Sequence, residues 1–145
     1  MQSKISEALA IVGTIDPATV ANTEVFTDVV DLGAMRQVMA VAMLGNLASE
    51  AVDFKAYSCD SDGNNAAAIT GRAATQLGAH ASNNDNKQLV INLRDGDMIA
   101  SGKQYAKFGL VTGGATGGPC AVVVLGAPRQ GLATGNDLAS VAEII

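Results

Sequence analysis

Aromatic residues are nearly missing from this chain: it has no Trp, two Tyr and three Phe, together 3 % of 145 residues. Histidine occurs once, at His80, and cysteine twice, at Cys59 and Cys120. Each scarcity excludes something. A sugar-binding platform needs open ring faces, and only Tyr57 and Tyr105 fall at outward positions of the strand pattern. One histidine cannot build the multi-histidine metal site of a cupin-like enzyme, and no nucleophile or carboxylate is placed by sequence beside it. A loop histidine is therefore the expectation, and no catalytic residue is assigned. The cysteines belong to no CxxC pair, which removes thioredoxin-like and zinc readings. Two small, partly buried thiols are expected, with a disulfide left open.

Positive charge is sparse as well. Nine Lys and Arg stand against fourteen Asp and Glu, for a net charge of −5, and the cations are scattered singly. A nucleic-acid or anionic-membrane partner needs several cations on one face, so neither is expected. The longest apolar runs, residues 38–44 and 120–125, are too short to span a bilayer. The leader MQSKISEALAIVG lacks the charge and apolar pattern of a signal peptide, so synthesis in the cytoplasm and a soluble product are expected.

What the chain does have is aliphatic. Apolar residues make up 48 % of it, mostly Val, Ile, Leu, Met and Ala. At about 25 cal/mol per Å² of buried apolar area, an Ala-rich core gains little per residue. Further apolar surface is expected to be buried against other subunits.

Residues 36–44 form a nearly unbroken apolar run, which predicts a strand covered on both faces. Residues 52–57 alternate, with Val52, Phe54 and Ala56 inward, and read as a second, half-buried antiparallel strand joined to it by a short connection. Asp60-Ser61-Asp62-Gly63-Asn64-Asn65 supplies a tight turn. It opens like a calcium loop, but Asn65 stands where that loop needs Gly and Gly71 where it needs an acid, so no metal site is assigned. Ahead of this pair, residues 3–12 are expected to form a short amphipathic helix through Ile5, Leu9 and Val12. An extended arm over 14–23 and a first strand over 24–32 follow.

Residues 66–77 read as a strand kinked at Gly71, residues 78–87 as a polar loop, and residues 88–94 as a strand with Leu89, Ile91 and Leu93 inward. Residues 98–101 look briefly extended. Residues 103–112 alternate around Ala106, Phe108 and Leu110, and residues 121–125 form a central apolar strand. Residues 96–103 miss the spacing of a phosphate loop and have Gln104 for its Ser or Thr, and residues 113–119 lack its Lys and end in Pro119, so no cofactor is assigned.

Short strands separated by Gly, Asp and Asn turns predict an all-β protein, an antiparallel, jelly-roll-like β-sandwich. The expected organisation is an N-terminal helix and arm (1–23), the sandwich (24–128) and a C-terminal arm (129–145). Ile5, Leu9 and Val12 at one end, and Leu138, Val141, Ile144 and Ile145 at the other, are the expected contact residues.

Four stretches carry a likeness to a known family: Met43-Leu44-Gly45-Asn46-Leu47; Val52-Asp53-Phe54-Lys55-Ala56 with its Asp-Ser-Asp-Gly turn; residues 69–77, ITGRAATQL; and residues 84–93, NDNKQLVINL. The late strand ending Leu125-Gly126-Ala127-Pro128-Arg129 adds to it. Over residues 24–129 the chain resembles the small head-decoration, or cement, proteins of tailed bacteriophages. The resemblance implies a β-sandwich body, a homotrimer or other homo-oligomer, and the major capsid protein as partner. It further implies a place on the outer capsid surface of the virion, where the protein stabilises the shell without enzymatic chemistry. The alternative from the residues alone is a ligand- or carbohydrate-binding β-sandwich module.

Overall fold

The computed structural model describes residues 4–47, 51–74, 85–114, 116–131, 135–137 and 139–144. Among these residues a helical turn, α1 (Ile5–Ala8), precedes nine strands: β1 (Ala10–Val20), β2 (Val25–Phe26), β3 (Val30–Asp31), β4 (Met35–Leu44), β5 (Ala51–Cys59), β6 (Ala67–Ala73), β7 (Gln88–Arg94), β8 (Tyr105–Gly113) and β9 (Gly118–Pro128). A 3₁₀ helix, Asp95–Ser101, joins β7 to β8.

Two antiparallel sheets face each other. The first has the order β1-β9-β4-β7, and the second β2-β8-β5-β6, with β3 also on β8. The pairs are nested around the β5–β6 turn: β5 with β6, β4 with β7, β2 and β3 with β8, and β1 with β9. Successive pairs alternate between the sheets, as in a long hairpin rolled on itself, so the expected jelly-roll-like sandwich is what forms.

The innermost turn is fixed by local chemistry. The Asp62 carboxylate accepts the Asn64 amide at 2.9 Å, and Gly63 and Asn65 take the left-handed conformation at φ +81° and +49°. Lys107 donates to the Gly63 carbonyl at 2.9 Å, and Lys103 both donates to the Asn65 carbonyl and pairs with Asp60 at 3.0 Å. Two ammonium groups thus brace the turn from β8 and the residues just before it.

The core lies between the sheets. Val52, Phe54 and Ala56 of β5 and Ala106, Phe108 and Leu110 of β8 are fully buried, as their alternation predicted. Val38, Ala40 and Ala42 of β4, Leu93 of β7 and Val122 and Val124 of β9 close the other side. The Phe54 and Phe108 rings lie 6.2 Å apart and supply the bulk that the surrounding alanines lack. Gly71, at φ +75°, coincides with a bulge in the β5–β6 register, as the expected kink implies. Outside the bulge, Arg72 reaches Asp97 at 2.6 Å and ties β6 to the 3₁₀ helix.

Several expectations are corrected. The helix over 3–12 shrinks to Ile5–Ala8, and the arm over 14–23 is mostly strand, because residues 10–20 pair with β9. Ile11, Val12, Thr14 and Ile15 are β-branched, and the ladder gives them backbone partners that an isolated helix would have to nucleate alone. Residues 10–20 therefore belong to the sandwich body rather than to an N-terminal arm. The first strand over 24–32 is two short pieces, interrupted where the Thr27 hydroxyl accepts the Phe108 amide. The two central strands lie in different sheets: both edges of β4 are taken, by β7 and β9, and β5 pairs with β8 and β6. Residues 98–101 are helical rather than extended, because Asp97 caps the turn by accepting the Arg94 amide at 2.8 Å. Of the expected strand over 66–77, residues 67–73 are strand, and 75–77 lie outside the described residues, as does most of the loop over 78–87 with His80.

Candidate interaction face

The sequence of β4, MRQVMAVAML, is apolar at both parities of its alternation. One parity, Val38, Ala40 and Ala42, fills the core; the other, Met39, Val41 and Met43, points away from it. The expectation that this strand is covered on both faces is thus half right. The register extends the outward set across the sheet. Val41 lies opposite Val90 on one side and Val123 on the other, Met39 opposite Leu125, and Met43 opposite Ala121. Met43 is 44 % and Val90 51 % exposed. The middle of the outer face of the first sheet is therefore an aliphatic belt, bordered on β7 by Gln88 and Asn92. Where it meets the N-terminal turn there is a cleft of about 210 Å³, lined by Leu9, Gln37, Met39, Asn92, Arg94 and Leu125.

One border of this face is the free edge of β1, and the C-terminal segment lies along it. The Ile11 amide donates to Asn136 Oδ1 at 2.9 Å, and the Ile11 carbonyl accepts the Asp137 amide at 2.7 Å. Thr14 and Ser140 share a hydroxyl–hydroxyl bond of 3.0 Å. These bonds hold the tail on its own subunit.

The expected contact residues are therefore distributed unevenly. Ile5 is 79 % exposed on α1, Leu9 lines the cleft beside Met39 and Leu125, and Val12 is half-buried against its own sandwich. Val141 is half-buried and Ile144 exposed. Leu138 and Ile145 lie outside the described residues. The termini missed the larger feature: Met39, Val41, Met43, Val90, Val123 and Leu125. Its signal was present in β4 and β9, whose outward positions are as apolar as their inward ones.

The second sheet presents different chemistry. The Tyr57 hydroxyl donates to Glu24 at 2.6 Å, and its ring meets Phe26 edge-on at 5.5 Å. The Lys107 ammonium stands 4.1 Å over the Phe26 ring. Burial, reinforced by Glu24, pushes the Tyr57 hydroxyl up to about 12. Cys59 and Cys120 are free and buried, and burial raises both thiols, which keeps them protonated and inert at neutral pH. Asp95 pairs with Arg129 at 3.0 Å. Among the described residues no three His, Cys, Asp or Glu side chains converge to hold a metal. Among them, too, no helix is long and apolar enough to cross a membrane.

No family model matches the chain, and no curated protein matches it. Solved structures do. The PBSX exported protein XepA superposes with a TM-score of 0.57 over 90 % of this chain at 12 % identity, and the chain spans 40 % of that protein's length. The SPBc2 prophage-derived protein YomS aligns over 82 % of this chain and 93 % of its own at 13 % identity, with a TM-score of 0.47. The xylan-binding module CBM15 aligns over 90 % and 97 % at 11 % identity, with a TM-score of 0.38. At such identities XepA attests the fold.

Proposed function

We propose that this chain is a structural protein of a phage particle, a non-enzymatic fastener that seats on the outer surface of the head and holds major-capsid subunits together. The observation that carries the reading is the aliphatic outer face of the first sheet. Met43 and Val90 are large, half exposed, and continuous with Met39, Val41, Val123 and Leu125. A soluble domain seldom leaves such a belt in water without a partner. The sequence resemblance to head-decoration proteins supplies the identity of that partner, the shell lattice. Specific attachment needs an interface on the order of 1,000 Å², and repetition over a homo-oligomer lets modest contacts suffice. The exposed Ile5 and Ile144 extend the contact beyond the sheet.

The carbohydrate-binding alternative has less support. Its platform would need open ring faces, yet the Phe26 ring lies under Lys107 and the Tyr57 ring is turned edge-on to Phe26.

The reading is tested by cosedimentation with expanded phage heads lacking the protein. Met43→Lys and Val123→Lys are expected to lower occupancy at least about tenfold while leaving the fold intact, because charges on an exposed face seldom unfold a domain. Unchanged occupancy for both variants would sink it, as would a glycan array in which wild type binds sugars but heads are ignored.

A further inference from the structure

Edge strands invite pairing, and natural sheets blunt them with bulges, prolines, short lengths or covering segments. Three of the four edges here are blunted. β1 contains Pro17 and two register shifts, and the C-terminal segment holds Ile11. β2 and β3 are two residues each. β6 is broken by the Gly71 bulge. β7 has no bulge, proline or short length: it runs seven residues, QLVINLR, with an unbroken register against β4, and among the described residues no strand pairs with its outer edge, which residues 71–74 approach across a cleft at residues 90–92.

We propose that β7 is a self-pairing edge, joining two copies of this chain antiparallel about a two-fold axis at Ile91, so that their four-stranded first sheets become one continuous sheet. The geometry follows from one bond. Leu44 donates its amide to the Lys87 carbonyl at 3.0 Å. In an antiparallel strand the N–H and C=O of one residue point to the same side. Hence residues 87, 89, 91 and 93 address β4, while Gln88, Val90, Asn92 and Arg94 address the open edge. The Arg94 amide is already bonded to Asp97, but its carbonyl is not engaged there. With the axis at Ile91, Val90 and Asn92 of opposite copies exchange both their backbone bonds, and each Gln88 amide meets the other copy's Arg94 carbonyl.

Side chains and charges agree with this register. Directly opposed residues in a sheet point to the same face, so the inward Leu89 meets the inward Leu93 of the second copy, and Ile91 meets its own counterpart. The core continues across the junction, and outside it the exposed Val90 is covered beside Asn92. Lys87, exposed just before the strand, falls opposite the other copy's Asp95, just after it, and symmetry repeats the pair. Within residues 87–95 no like charges face each other. Axes at Val90 or Asn92 would shorten the ladder and lose the Lys87–Asp95 match. A second copy is therefore the occupant whose sequence complements this edge.

The experiment uses the full chain alone, without heads, so its outcome is independent of shell attachment. Analytical ultracentrifugation is expected to show a concentration-dependent dimer of wild type. Val90→Pro removes one edge-facing donor per copy and no bond to β4. It is expected to weaken the dimer about thirtyfold, from two lost bonds, with the circular dichroism unchanged. Ile91→Cys gives a reading that does not depend on that variant folding. At a non-hydrogen-bonded pair the Cα atoms lie about 4.5 Å apart, within disulfide reach, so a mild oxidant should cross-link it to double mass on a non-reducing gel. Leu89→Cys, opposite Leu93, should not cross-link. A wild type that stays monomeric or forms trimers overturns the proposal, as does an Ile91→Cys dimer that fails to cross-link.

Discussion

The Tyr57 hydroxyl and the Glu24 carboxylate meet at 2.6 Å across the surface of β8, directly over Gly109. Their approach depends on that residue having no side chain. A Cβ built at Gly109 would come within 2.8 Å of the Phe26 ring and 2.9 Å of the Tyr57 ring. One missing methyl thus lets β2, itself only Val25–Phe26, fasten to the sheet through side chains as well as its short ladder.

Gly109→Ala is therefore expected to destabilise the fold by about 1–3 kcal/mol, the usual cost of overpacking. Chemical denaturation measures it. Tyr57 should also lose its edge contact with Phe26, visible as a change in near-ultraviolet circular dichroism. A variant as stable as wild type would mean that the cluster relaxes at no cost.

Alkaline pH reads the same cluster. The Tyr57 hydroxyl is raised from 10.0 to about 12, chiefly by burial and then by Glu24. A raised group contributes stability that is fully present below its unfolded value and is lost as pH climbs through its folded value. The Tyr57 contribution should thus hold up to about pH 10 and fade between about pH 10 and 12. Tyr57→Phe should be less stable at neutral pH by about 1 kcal/mol, the net worth of one hydrogen bond. Between pH 10 and 12 it should converge on wild type; parallel curves throughout would refute the assignment.

Truncation after Gln130 removes the partners of Ile11 and Thr14, namely Asn136, Asp137 and Ser140. The sandwich should remain folded, because β1 to β9 all precede the cut. Losing about two to three bonds at a surface edge should cost about 1–3 kcal/mol. Under the proposed function the same cut should also reduce occupancy on heads, by removing the exposed Ile144 and baring the β1 edge. Thermal unfolding and head cosedimentation separate the two effects.

Much of the architecture can be read from single strands. The alternation of Val52, Phe54 and Ala56, and of Ala106, Phe108 and Leu110, reports a face that must leave water, and each of these residues is fully buried. The Asp60–Asn65 turn is equally local, since Asp, Asn and Gly reverse the chain by their own conformational preferences. Helical spacing at Ile5, Leu9 and Val12 misleads because ten residues fit two periodicities, and the edge of β9 then rewards the extended one. The apolar parity of β4 misleads in the other direction: a run such as MRQVMAVAML does not reveal whether its second face is covered.

What the chain determines by itself is therefore local: strand against turn, and inward against outward within a strand. Each depends on neighbours a few residues away, whose spacing is written in the covalent chain. Only the tertiary structure decides that β4 lies between β9 and β7 rather than beside β5, and so gathers Met39, Val41, Val123 and Leu125 on one surface. It also decides which edges stay open. Strand partners far apart in sequence are chosen by the combined burial of every strand at once, and no short stretch carries that sum.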